Sequence, residues 1–206
     1  MPITGSQAVK EIFCREGVEY IFGIPGATEA FFMDALEDCP DIRYILGLHE
    51  VVAMGAAEGY ARTSGKPGIL NLHTGTGLGA SLPLLSNAYN GGVPLIVTAG
   101  QQDTRLQAYD PHLAGDLVNM SHPFTKWSTE IHHVEDIPTI FRRAFKIATQ
   151  PPTGPVFISL AKGKAIKTFS SSAEAREWLS KENLSGYTVL VKGSRGMMLE
   201  KVYDVL

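Results

Sequence analysis

Several classes of protein are set aside by what this sequence contains little of. Cysteine occurs only twice, at Cys14 and Cys39, without C-x-x-C spacing, so neither a disulfide framework nor a thiolate zinc site is expected. No run of about twenty apolar residues is present to span a bilayer, and the opening MPITGSQAVKEIF has neither the basic start nor the apolar stretch of a secretory leader. The 18 Lys and Arg are scattered against 21 Asp and Glu, giving a net charge of -3, and no basic stripe offers the footprint of a nucleic-acid binder. His112, His122, His132 and His133 lack metal-ligand spacing, so no metal site is expected within the chain. The reading is a cytoplasmic globular protein with no nucleic-acid and no membrane partner.

What the sequence does have is alternation, in a chain that is 44% hydrophobic and 19% charged. SQAVKEIFCREG places Ala8, Val9, Ile12 and Phe13 at helical spacing and stops at Gly17. YIFGIPG reads as a short buried strand closing on a turn, TEAFFMDALED as a helix opened by Thr28, and IRYILGL as a strand. A helix over EVVAMGAAEGYARTSG, a strand over PGILNLH, a helix over SLPLLSNAYN and a strand over PLIVTAG follow. FTKWSTEI, the helix VEDIPTIFRRAFKIATQ and the strand PVFISLA complete the series. Nearly continuous apolar strands alternating with helices imply a doubly wound α/β domain, a parallel sheet with helices on both faces, over residues 1–162. Composition then shifts: residues 163–206 read as a short αβα tail, too small to hold a core of its own.

One stretch needs arbitration. In NLHTGTGLGA, Gly75, Gly77 and Ala80 satisfy the dinucleotide fingerprint between a strand and a helix. That reading requires an acidic residue at the end of the next strand, which here ends in Gly100, with Asp103 lying beyond it. A tight strand-to-helix turn explains the glycines as well.

Longer context points elsewhere. VEYIFGIPGATEAFFMDAL, IRYILGLHEVVAMGAAEGYARTSGKPGILNLHTGTG, LSNAYNGGVPLIVTAGQQ and PPTGPVFISL, in that order, resemble the N-terminal, pyrimidine-binding domain of thiamine diphosphate-dependent enzymes. The resemblance runs from Ala8 to Ala161, within the benzoylformate decarboxylase and acetolactate synthase group, and LHTGTG with GQQ is most similar to the decarboxylase branch. It implies that Glu50 hydrogen-bonds the aminopyrimidine ring of thiamine diphosphate, helping the cofactor to its carbanion chemistry. From spacing alone, a glutamate placed only to complement the helix dipole is the favoured reading.

His73, ending a strand, resembles the decarboxylases' active-site acid/base histidine, although a strand-end histidine bonded to backbone is the plainer alternative. Pro25 and Gly26 match the turn that approaches the pyrimidine, and Thr74, Gly75, Thr76 and Gln101 are further candidates for cofactor contact. Ala27 stands where the decarboxylase has a substrate-contacting serine, which removes a hydroxyl from the expected substrate side, and Ala80 stands where relatives often carry an asparagine.

The same family binds the diphosphate through Mg in a second domain carrying a Gly-Asp-Gly motif with a later asparagine, and AGDLVN does not supply it. A diphosphate-binding domain or subunit is therefore expected as partner, with Mg only through that partner, in a homo- or hetero-oligomer. The tail FSSSAEAREWLSKENLSGYTVLVKGSRGMMLEKVYDVL resembles the end of the Mur ligase that adds D-alanyl-D-alanine, without the P-loop such a ligase needs. Two functions stay open: the pyrimidine-side component of a 2-oxo acid decarboxylase or carboligase, and a non-catalytic truncated or fused remnant of one. An NAD-linked oxidoreductase rests on the glycine spacing alone.

Overall fold

The computed structural model describes residues 4–161 and 171–181. The chain forms two compact units, Met1–Lys164 and Ala165–Leu206. In the first, α1 (Gly5–Arg15) opens on a capping box: Thr4 Oγ1 accepts from the Gln7 amide, and Gln7 Oε1 accepts from the Thr4 amide. It gives way to Gly17 at φ +70°, a left-handed position that suits glycine. The order continues β1 (Tyr20–Gly23), α2 (Ala30–Leu36), β2 (Arg43–Leu46), α3 (Glu50–Ser64), β3 (Gly68–Leu72), α4 (Thr74–Asn90) and β4 (Leu95–Gln101). Then come α5 (Leu117–Ser121), β5 (Trp127–Ile131), α6 (Ile137–Thr149) and β6 (Val156–Ala161).

All six strands pair in parallel in the order β2-β1-β3-β4-β6-β5, so the doubly wound α/β expectation holds. The period-2 alternation of strand side chains divides the core between the two faces. Ile21, Ile69, Ile96 and Ile158 pack with Phe13 of α1, Phe32 of α2 and Phe141 of α6. Phe22, Leu70, Val97 and Phe157 pack with Met54 of α3 and Leu78 and Leu85 of α4. Register keeps each set in line, Ile21 beside Ile69 beside Ile96, and Phe22 beside Leu70 beside Val97.

Burial differs along the sheet: β3 and β4 are buried throughout, whereas β2 ends the sheet and exposes Ile45 and Leu46. An outer strand has a neighbour on one side only, and its apolar residues cannot reveal that. Two expectations need correction. Thr28 does not open α2, because Glu29 is the N-cap and the Thr28 hydroxyl is taken up by side chains. The helix after β3 begins at Thr74 rather than near Ser81, so the glycines of TGTGLGA lie in helical turns and not in a loop.

The tail unit contributes α7 (Ser172–Leu179), whose Ser171 cap accepts from the Glu174 amide. The strand expected over YTVLVKG and the helix expected over MMLEKVYDVL lie outside the described residues.

Candidate functional site

The chain runs from β1 to β2 on one side and then places β3 on the other side of β1. In open parallel sheets such a reversal leaves a crevice outside the strand carboxyl ends, where ligands bind. The two connections leaving β1 and β3 carry most of the residues singled out from sequence.

The first connection, following Gly23, folds Glu29 inward until it is 3% exposed. Its carboxylate meets four groups. Oε2 accepts from the Gly26 amide at 2.8 Å and lies 2.9 Å from His73 Nδ1. Oε1 accepts from the Gly100 amide at 3.0 Å and from the Thr28 hydroxyl. Thr28 Oγ1 also lies 3.1 Å from His73 Nδ1. A Cβ on Gly26 would run into the His73 ring, and one on Gly100 into Glu29 and Thr28, so close approach demands glycine at both places. Beneath this cluster, Tyr44 Oη donates to Asn71 Oδ1 at 3.0 Å, and Asn71 Nδ2 donates to Thr98 Oγ1 at 3.1 Å. Burial, and secondarily the charge of Glu29, push the Tyr44 phenol well above its ordinary range.

Glu50 is the first residue of α3, after His49, whose Nδ1 accepts from the Val51 amide at 3.2 Å. It is half-buried, and among the described residues its carboxylate forms no hydrogen bond or ion pair. Gly77 of α4 faces it: a Cβ there would sit 3.4 Å from Glu50 Cγ, 3.5 Å from Oε1 and 3.4 Å from Leu72 Cβ. The glycine lets α4 lie close to Glu50 without a side chain between them.

The start of α4 thus stands between the two groups. Thr74 is fully buried at φ +54°, Gly75 would meet Leu117 if it carried a Cβ, and Thr76 is exposed with its hydroxyl 3.3 Å from the His73 carbonyl. Strand passes into helix at once, and Gly77 lies buried against Glu50. No glycine loop forms there, as the dinucleotide reading would need.

The structure therefore gathers Gly26 and His73 at one cluster, with Glu50 across α4. Pro25 and Ala27 share the turn of Gly26, Pro25 half-buried and Ala27 exposed. Gln101 goes elsewhere. Its Nε2 donates to the Gly115 carbonyl at 2.6 Å and its Oε1 accepts from the Gln102 amide at 2.9 Å, beside a cavity of about 480 Å³ lined by Gln107, Asp110, Gly115, Glu130 and His132. Neither Glu50 nor His73 lines that cavity.

Sequence reasoning missed Glu29. Its signal was available in GIPGATE, where an acidic residue three positions beyond the second glycine can reach back to that glycine's amide, but it read as part of a helix start. Among the described residues, no group of three or more His, Cys, Asp or Glu could hold a metal ion, and no helix is long and apolar enough to cross a membrane.

A buried carboxylate beneath a histidine and a free one across a helix, both at the switch point of a parallel sheet, make a cofactor-binding α/β domain. Residues 3–130 match the family of thiamine pyrophosphate enzymes, N-terminal TPP binding domain, and the chain belongs to that family. It is 40% identical to benzoylformate decarboxylase of Pseudomonas aeruginosa over 159 residues, 76% of this chain and 30% of that protein. It is 30% identical to the acetolactate synthase large subunit of Buchnera aphidicola over 204 residues, 99% of this chain and 35% of that one. The crystal structure of benzoylformate decarboxylase from Polynucleobacter necessarius superposes with a TM-score of 0.73 at 34% identity, covering 87% of this chain and 36% of its own. The thiamine diphosphate-dependent 4-hydroxybenzoylformate decarboxylase of Rhodococcus jostii RHA1 gives 0.73 at 29% identity, covering 86% and 37%. The chain spans about a third of the length of these relatives.

Proposed function

We propose that this chain supplies the pyrimidine side of a thiamine diphosphate site in a 2-oxo acid decarboxylase or carboligase, with the diphosphate and its Mg held by another domain or subunit. The observation that carries the reading is Glu50: a half-buried carboxylate at a helix start, with no partner among the described residues and a glycine opposite it. A group left like this is ready to take a ligand donor, and an aminopyrimidine ring offers one. The residues fit the cofactor on that ground. When bound, thiamine diphosphate supplies the carbanion chemistry that breaks or makes the bond next to a carbonyl.

The remaining work belongs to the chain. Glu50 accepts a hydrogen bond from the ring and shares a proton with it. Gly77, by lacking a side chain, would spare the ring a side-chain atom beside Glu50. The turn of Pro25 and Gly26 closes the crevice from β1, and His73 exchanges a proton near the reacting centre. Ala27 lacks the hydroxyl with which the decarboxylase's serine contacts its substrate, so the substrate is not assigned to the aromatic 2-oxo acids. Gln101 is occupied by Gly115 and Gln102, which moves it from direct cofactor contact to support of the cavity wall. A cytoplasmic setting accords with two cysteines that stay free.

The test is calorimetric titration of the full chain with thiamine diphosphate and Mg, alone and with a separately produced diphosphate-binding domain of a relative. Binding and decarboxylation of a 2-oxo acid in the mixture, both lost in Glu50→Ala, are expected. Binding unchanged by Glu50→Ala overturns the reading. Absence of binding in the mixture favours the non-catalytic remnant instead.

A further inference from the structure

We infer that Glu29 is a positioning residue, which fixes the neutral His73 imidazole as the Nδ1–H tautomer and leaves Nε2 as the ring's proton acceptor. Its catalytic consequence rests on the proposed function above, but the tautomer itself does not. The argument starts from which groups can exchange roles. The amides of Gly26 and Gly100 are donors only, and they engage both oxygens of Glu29, at 2.8 and 3.0 Å. The Thr28 hydroxyl is directed at Oε1, which makes a third donor. The carboxylate oxygens therefore act as acceptors, and the ring nitrogen 2.9 Å from Oε2 takes the donor's part.

Thr28 agrees with this assignment. Having given its proton to Glu29, its oxygen can present only a lone pair to His73 Nδ1 at 3.1 Å. Nδ1 thus faces two acceptors and no donor. The tautomer of a histidine is set by the bond its other nitrogen makes, and here that bond consigns the lone pair to Nε2. Among the described residues nothing engages Nε2, and the His73 side chain keeps 24% of its surface open. An imidazole held this way takes up a proton at Nε2 without first moving one between its nitrogens. Gly26 packs closely against this ring, with no room for a Cβ between them.

The alternative arrangement is a protonated Glu29 donating to Nδ1, which puts the ring proton on Nε2. It would leave the anion's three other donors bonded to a neutral carboxyl, a weaker set of contacts. The two arrangements give opposite spectra. In the full-length chain labelled with nitrogen-15, long-range proton–nitrogen couplings of the His73 ring, recorded with the ring neutral and assigned by comparison with His73→Gln, report which nitrogen carries the proton. The expected result is Nδ1–H in the unsubstituted chain and in Thr28→Val, and an averaged or Nε2–H pattern in Glu29→Ala. An Nε2–H or averaged pattern in the unsubstituted chain overturns the inference, as does an unchanged Nδ1–H pattern in a folded Glu29→Ala. Should Glu29→Ala not fold, the unsubstituted chain's pattern alone decides. The measurement needs no cofactor, so an Nδ1–H ring in a chain that never binds thiamine diphosphate would uphold this inference and remove the proposed function.

Discussion

Glu29 and Glu50 are two carboxylates at the same edge of one sheet, each beside a connection at the switch point, and their surroundings are opposite. Glu29 is buried and meets four groups, from Gly26, Thr28, His73 and Gly100. Glu50 is half-buried and meets none among the described residues. Burying an ion is tolerated only when its oxygens are satisfied, so the first carboxylate belongs to the architecture. The second keeps its bonding capacity unspent, which suits a ligand. The same residue type is thus fully engaged in one place and left with its bonding capacity unspent in the other.

The comparison can be broken by removing each carboxylate in turn. Glu29→Ala should destabilise the chain by about 3 kcal/mol, because two amides and a hydroxyl lose a charged acceptor inside the protein, and chemical denaturation would read it. Gly100→Ala should cost about 2 kcal/mol from the other side of the same bond: its methyl must displace Glu29 and Thr28, which are tied down and cannot swing away. Glu50→Gln, by contrast, should change the unfolding free energy by less than about 0.5 kcal/mol, since no partner is lost. Its effect should appear in thiamine diphosphate affinity instead. A Glu50→Gln chain as destabilised as Glu29→Ala would erase the distinction between the two groups.

The smallest effect is a pH dependence beneath the Glu29 cluster. The Tyr44 phenol is raised above its ordinary value of 10.0 by burial first and by the charge of Glu29 second. The unfolded chain then loses this proton at lower pH than the folded one does. Stability from this group is full below pH 10.0 and falls as pH rises beyond it. Tyr44→Phe should flatten that alkaline fall in melting temperature, and Glu29→Gln should weaken it only in part, because burial is the larger cause.

How far this could be foreseen differs from residue to residue. Glu50 was legible, because HEVVAMGAAEGYA has the composition and stop signal of a helix and so places its glutamate in the first turn. His73 was legible as a strand-end residue for the same local reason. Glu29 was legible only in its reach back to Gly26, since its other partners lie 44 and 71 residues away, at His73 and Gly100, and no periodicity reports a contact across that interval. Gln101 was legible as a strand-end residue, but its tie to Gly115 was not. The loop that brings Gly115 onto its amide carries no pattern that points there.

The glycines show the division most clearly. Gly75 and Gly77 match a phosphate-binding spacing, but spacing describes only the local chain, and the same residues serve equally inside a helix that must lie close to a neighbour. Packing of α4 against Glu50 chose the second use.

By itself the sequence determined the alternation of strands and helices, the two-sided core and the positions of Glu50 and His73 along the chain, because these follow from side-chain periodicity and helix-end chemistry over a few residues. Only the tertiary structure decided that β2 stands exposed, that Glu29 lies beneath His73, and that Glu50 lies against Gly77 with its carboxylate unpartnered among the described residues. Those outcomes depend on which distant backbone donors and packing surfaces meet at a carboxylate once the sheet has assembled.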